Sequence, residues 1–444
     1  MSTSETTTLN RLSSILLALR RMRRPSPEKI LHHLHDPVPS DDYYYLDALA
    51  TLCSFAAQCD SVSAVVEHHT QSNRLYLATS PSPPPTLRDR LPALIDLIQK
   101  LRGTSPSSSE TGGRSELEGS DLNHNTPTQN FIIEVYRVCH AKLLDAVKRD
   151  NDGQKLLAYI STMSPRQLRW LKVTMEGDRD SSVVANVELL ISMGKKDAES
   201  LSAEDLLRLH QAAEVVARFK HTFPTAPTFI FDADRLSQAV DDIVTFATSG
   251  DHDARIDLPW TVVWVDVPGS APKFLATTNE HELAEMVGKG LYDDLVSRNW
   301  PPFDPSRRAG LGDVRMVEGS PGHFTGHGVV HCESALLQYV VGNRLPVEPY
   351  IGCSRPICYA CVMLVKAYNE VSGKDLGAGC RCVDLAQLDI AWSYPPAMGL
   401  AVYRRLENGV RKDFNELFTQ PIYSAYRPIV KLPWTGEVSG SGGP

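Results

Sequence analysis

The sequence predicts an α/β protein carrying a separate all-α block. Three stretches predict it: a helix-then-hairpin pattern near the N-terminus, a purely helical pattern over about 130–225, and mixed strand and helix signals from about 227 onward.

In the first stretch, residues 44–59 (YYLDALATLCSFAAQC) place Leu46, Leu49, Leu52, Cys53 and Ala56 on one helical face. Two short β-like runs follow, SAVVEHH from Ser63 and RLYLATS from Arg74, joined by the polar turn Thr70-Gln71-Ser72-Asn73. A proline cluster at 80–85 and a Ser/Gly-rich stretch at 104–129 cannot build a packed core and read as linkers, the second disordered. In the helical block, Ser164-Pro165 and the capping-box-like Ser202-Ala203-Glu204-Asp205 are helix starts. Beyond it come FIFDA as a strand, a helix over 236–248, the strands TVVWVDV and FLATT around the turn PGSAP, and a helix over 280–298. The Gly- and Pro-rich stretch 301–328 reads as a long loop. The expected units are 1–103, 104–129 (linker), 130–225 (helical block) and 226–440 (the site-bearing domain). There is no repeat at a fixed period.

Composition narrows the classes. With 42% hydrophobic and 22% charged residues over 444 positions, the chain can bury two or three domain-sized cores. No apolar run is long enough for a transmembrane helix, so no membrane partner is expected. Net charge is −8, and residues 227–444 hold 19 Lys+Arg against 26 Asp+Glu, a balance that does not favour a long nucleic-acid groove but allows a local basic patch. Nine cysteines without a secretory leader point to a reducing, intracellular setting, cytoplasmic or nuclear. The first 27 residues carry one acid, Glu5, and Arg20, Arg21, Arg23 and Arg24. They read as a mitochondrial presequence, a nuclear address, or a surface helix with a cationic last turn, the last preferred.

Six of the cysteines fall between 332 and 382, which reads as metal chemistry. His331-Cys332-Glu333 opens a helical pattern, and Cys358-Tyr359-Ala360-Cys361 opens a second one, after a strand-like VEPYIGC and Pro356. Two cysteines three apart at a helix start aim both sulfurs at one point, and the helix N-terminus stabilises their thiolates. If two such helices lie side by side across one strand, the imidazole of His331 completes a His/Cys/Cys set with one position open to water. Zinc there lowers the water's pKa toward neutrality and yields a zinc-bound hydroxide nucleophile. Glu333, two residues from the histidine, is placed to move the proton from that water to a ring nitrogen and a departing amine. H-x-E alone occurs about once by chance in such a chain; its order with the strand-like run, the proline and the cysteine pair makes the signal strong.

These residues resemble the zinc-dependent nucleic-acid and nucleotide deaminase superfamily, whose signature is H-x-E followed by P-C-x-x-C. VHCESALLQYV, YIGCSRPICYACVMLVKAYNE and GCRCVDLAQLDIAWSYPP are similar to its fungal branch of deaminase-like proteins. Ile357 between Pro356 and Cys358 departs from the pattern of the well-studied cytidine deaminases. The resemblance covers about 325–400 and implies a cytidine deaminase-like three-layer α-β-α fold with a mixed sheet of about five strands. It also implies zinc on His331, Cys358 and Cys361, with Glu333 as the catalytic proton shuttle. The implied enzyme is a hydrolytic deaminase of a base, nucleoside, nucleotide or nucleic acid. Because that fold opens with a helix and a hairpin, residues 46–80 are expected to complete it as a split domain; the rival completion is a hairpin over 261–277.

Other candidates have plainer readings. Cys353, Cys380 and Cys382, with Cys332, could form a second zinc site, but small buried residues are preferred. His323 and His327 read as loop residues, and Trp392 and Tyr394 as core or base-stacking aromatics. The cluster His32, His33, His35 and the pair His68-His69 are not expected as ligands. Two alternative functions stay open: an inactive deaminase-like fold with a structural zinc serving protein interaction, marked by a fourth protein ligand, and a Cys358/Cys361 redox pair.

Overall fold

The computed structural model describes residues 3–22, 43–59, 61–69, 71–80, 85–102, 126–150, 183–217, 228–248, 258–267, 273–277, 315–320, 322–327, 329–355, 357–378 and 398–419, with 158, 162, 282, 285, 286, 392 and 395. In chain order the helices are α1 (Thr3–Met22), α2 (Tyr44–Ala56), α3 (Pro85–Arg102), α4 (Pro127–Asp150), α5 (Val183–Met193), α6 (Ala203–Ala217), α7 (Thr228–Thr248), α8 (Cys332–Asn343), α9 (Tyr359–Ser372) and α10 (Leu400–Thr419). The strands are β1 (Ser61–His68), β2 (Asn73–Ser80), β3 (Trp260–Val265), β4 (Lys273–Thr277), β5 (Arg315–Met316), β6 (His323–His327), β7 (Tyr350–Cys353) and β8 (Gly377–Ala378).

β1 and β2 are apolar on both faces, and strands of that kind need cover on both sides. They form an antiparallel hairpin with Ser61 opposite Ser80 and His68 opposite Asn73. β3 lies parallel to β2, β7 antiparallel to β1 and β8 parallel to β7, giving a mixed five-stranded sheet of order β3-β2-β1-β7-β8. Strand alternation then sends Val62, Ala64, Val66, Leu75 and Leu77 to one face, into a core shared with α2, α3, α4, α5, α6 and α7. Val65, Tyr76, Ala78, Ile351 and Cys353 face the other way, into a core with α1, α8, α9 and α10. The result is three α-β-α layers with an added helical block, consistent with a cytidine deaminase-like fold.

The hairpin thus shares a sheet with Tyr350–Cys353, through Ser63 opposite Cys353 and Ala64 opposite Gly352. The segment 261–277 is not a hairpin: β3 joins this sheet, whereas β4 belongs to a second sheet of order β4-β6-β5. That second sheet also places β5 and β6 inside the stretch read as a long loop.

Helix α2 lies between sheet and helical block, so nearly all its residues are buried, not just one stripe. FIFDA is helical, not a strand, because Phe229, Ile230, Ala233, Leu236, Val240 and Ile243 bury at helical spacing along α7. Packing overrides the β preference of its aromatics. The predicted capping box holds: the Ser202 amide donates to Asp205 (3.2 Å) and the Asp205 amide to the Ser202 hydroxyl (3.1 Å). A second, unpredicted one starts α4, between Thr126 and Gln129. Helix α1 is a packed element: Leu9, Leu12 and Ile15 are buried, and Asn10 and Ser14 accept from the amides of Leu275 and Thr277. No helix among the described residues is long and apolar enough to cross a membrane. The histidines at 32, 33 and 35, Cys380, Cys382, Tyr394, Pro165, Pro356 and the stretches 104–125 and 301–314 lie outside the described residues.

Candidate metal centre

Two helix N-termini meet at the carboxyl end of β7. His331 is the N-cap of α8, in extended conformation, and its side chain makes no capping bond to the helix, which leaves the imidazole to point elsewhere. Cys358 is the N-cap of α9, and its sulfur accepts from the Cys361 amide at 3.4 Å. The helix therefore starts at Tyr359, a little later than Pro356 suggests, and both sulfurs sit at the positive end of its dipole.

His331 Nδ1 lies 3.3 Å from Cys358 Sγ and 3.6 Å from Cys361 Sγ, and the three ligand atoms all fall within 4.8 Å of one another. Tetrahedral zinc with ordinary Zn–N and Zn–S bonds would hold nitrogen and sulfur about 3.6 Å apart. The spacing fits. Both cysteines are buried and the histidine is half-buried. Burial, then Cys358 and Glu333, push the Cys361 thiol well above its ordinary range, while His331 pulls it down. A cation among these groups reverses that balance, since a coordinating thiol loses its proton outright.

Glu333 stands in the first turn of α8, buried, with Oε2 3.8 Å from Cys361 Sγ. It borders the three-residue group without belonging to it. The two other cysteines nearby are engaged elsewhere. Cys332 donates to the Ser61 carbonyl (3.4 Å) and Cys353 lies on Ser63 and the Ile351 carbonyl. Burial is the main cause raising both thiols well above their usual range. Among the described residues, neither joins a second metal group.

Sequence reasoning missed three supports. The Trp392 indole N–H donates to Cys361 Sγ (3.3 Å), so this buried ring braces a ligand and is not a base-stacking surface. Ser334 Oγ bonds the same sulfur at 3.3 Å. Asp47 of α2 accepts from the Cys353 amide and the Tyr350 hydroxyl, both at 2.7 Å, fastening the strand that leads into the ligand loop. The Val329–Trp392 bridge was invisible because those residues are far apart in the chain. His68 and His69 pair with Glu348 and Glu67, and His323 with Glu282, away from the site.

The family model OTT_1508_deam, an OTT_1508-like deaminase, matches residues 330–382. That stretch is deaminase-like. It begins at the residue before His331 and spans Glu333, Cys358 and Cys361. No curated protein and no solved structure matches the chain.

Proposed function

We propose that the protein is a zinc-dependent hydrolytic deaminase that removes an exocyclic amino group from a base, nucleoside, nucleotide or nucleic acid. The observation that carries the reading is the convergence of His331, Cys358 and Cys361 at two helix N-termini with the spacing of a tetrahedral zinc site, inside the deaminase-like match. Zinc, when bound, supplies a water acidified enough to act as a nucleophile at neutral pH. His331 Nδ1 and the two sulfurs would hold the ion. Trp392 and Ser334 orient the Cys361 sulfur. Glu333 would take one proton from the water and pass it to the substrate's ring nitrogen, then take the second proton from the hydroxyl newly bonded to the substrate carbon and pass it to the amine, which leaves as ammonia.

Further support comes from Cys332 and Cys353, the cysteines that could close a structural zinc as a fourth ligand: they bond to Ser61, Ser63 and Ile351 instead and stand outside the three-residue group. We read the catalytic domain as split: the hairpin of residues 1–103 shares a sheet with β7, the strand of residues 226–440 that leads to Cys358, with residues 130–225 inserted between them. We place the chain in the fungal branch of the deaminase superfamily on the quoted motifs. We assign it to a reducing compartment, cytoplasmic, nuclear or mitochondrial, because ligand thiols must stay reduced.

The test is ammonia release from free bases, nucleosides, nucleotides and single- and double-stranded nucleic acids, wild type against Glu333→Gln. Wild type should release ammonia from at least one class. The variant should keep the wild-type zinc content and lose turnover by at least about a hundredfold. Turnover retained in Glu333→Gln removes the proton-shuttle role; a Cys358→Ser/Cys361→Ser variant that binds as many equivalents of zinc as wild type removes the metal assignment.

A further inference from the structure

A second group of metal-type donors lies in the helical block, remote in sequence from the first. His210 and Glu214 are four residues apart on α6 and therefore share a face, and Asp241 projects from the packed neighbour α7. Their ligand atoms all lie within 4.8 Å of one another.

The imidazole is held for this. Its Nδ1 lies 3.2 Å from the hydroxyl of Tyr136 of α4, a fully buried residue whose ring meets the imidazole edge-on. That contact fixes the ring with Nε2 toward Asp241, in the way that outer hydrogen bonds orient metal-bound histidines. Nε2 stands 3.6 Å from Asp241 Oδ1. That is longer than a hydrogen bond, but it is close to the separation of about 3.4 Å between two ligand atoms on one tetrahedral zinc. The ring is buried and Asp241 is half-buried, so an ion here would meet a dry nitrogen on one side and partial access to water on the other.

We infer that His210, Glu214 and Asp241 bind a second divalent cation of the zinc class, bridging α6 and α7, with Tyr136 as the positioning residue. The donor set of one imidazole and two carboxylates suits zinc, cobalt or manganese and lacks the sulfur of the first site. The inference does not depend on the deaminase reading.

The experiment is titration of the chelator-stripped full-length protein with cobalt(II), read by bound-metal stoichiometry and by absorption. Thiolate-to-cobalt charge transfer marks the Cys358/Cys361 site alone. Wild type should bind two equivalents, only one with that band. Asp241→Asn and Glu214→Gln, both changes of near-constant shape, should each lose the band-free equivalent and keep the other. Tyr136→Phe should weaken the band-free equivalent by about tenfold. The inference is overturned if wild type binds no band-free equivalent, or if Asp241→Asn and Glu214→Gln bind it as wild type does. Loss of the band-carrying equivalent alone would instead sink the first site and leave this one standing.

Discussion

Gly352 is where the sheet and α2 come closest, and adding one methyl group there should damage both stability and metal binding. A Cβ at this position would lie 2.3 Å from the Leu46 carbonyl carbon, 2.5 Å from its oxygen and 2.6 Å from its Cβ. Carbon atoms rest at about 3.5 Å or more, so α2 would have to retreat by about 1 Å, and a gap of that size forfeits about a quarter to a half of each dispersion contact it opens. The contacts at stake belong to Leu46, Leu49, Leu52 and Phe55, all buried. Backbone cannot swing aside as a long side chain can, so the overpacking cost lies near about 3 kcal/mol, the upper end of the usual range. The two Asp47 hydrogen bonds to Tyr350 and Cys353 stretch as well, adding about 1 kcal/mol. With a urea slope of about 3 kcal/mol/M, Gly352→Ala should move the unfolding midpoint down by about 1 M. Gly342, exposed in α8 with open space around it, is the control: Gly342→Ala should stabilise by about 0.5–1 kcal/mol. A Gly352→Ala midpoint within about 0.2 M of wild type would refute the close-approach argument. Zinc affinity should fall with stability, because Cys353 and Ser354 lead directly into the ligand loop.

Three further outcomes are expected. Trp392→Phe keeps the ring's bulk but removes the N–H donor to Cys361, so zinc affinity should drop about 10–100-fold in a chelator competition while the fold persists by circular dichroism. Adding zinc at a hundredfold its dissociation constant to stripped protein should raise stability by about 2.7 kcal/mol, and the gain at the first site should vanish in Cys358→Ser/Cys361→Ser. Lys142 reports on pH: burial first, then Arg235, bring its pKa from 10.5 down to about 8. Between those values the unfolded chain binds the extra proton, so this contribution to stability is complete above 10.5 and is lost as pH falls toward 8. Unfolding free energy of wild type relative to Lys142→Met should therefore rise across that window in urea melts, and a flat difference would disprove the assignment.

The metal-type cluster was legible because its parts are local. Each cysteine and the histidine sits at a helix start, and a helix N-cap fixes its own geometry within a few residues of sequence. The hairpin was legible for the same reason, from the apolar runs flanking Thr70–Asn73. What escaped reading depends on contacts across hundreds of residues. β3 pairs parallel to β2, and no short sequence pattern announces a partner about 190 positions away. Trp392 reads only as a buried aromatic until the fold brings its indole against Cys361. FIFDA carries strand-type residues, yet the partners of α7 in the block reward a helix. Helix α10 buries Val402, Tyr403, Leu406 and Val410 and was overlooked because its polar residues mask that face.

The same long-range contacts explain why the helical block is more than an appended bead. Lys142 on α4 donates to the Cys59 carbonyl (2.7 Å) and the Ser54 hydroxyl (2.8 Å), gripping the turn that enters β1. Arg235 on α7 donates to the Ser354 carbonyl, at the point where β7 leaves the sheet for Cys358. Those two backbone points are themselves joined, since the Ser354 amide donates to Val62 and the Val62 amide donates to the Ser354 hydroxyl, both at 2.9 Å. The block thus fastens both chain segments that frame the ligands, from the face opposite α8 and α9. Because the two segments of that frame, at Val62 and at Ser354, lie about 290 residues apart, an independent C-terminal half would lack β1, the Asp47 clasp and the α2 cover at once. The three metal-type residues are local in sequence, but the rigidity that holds them at 3.3 and 3.6 Å is assembled from segments across the described chain.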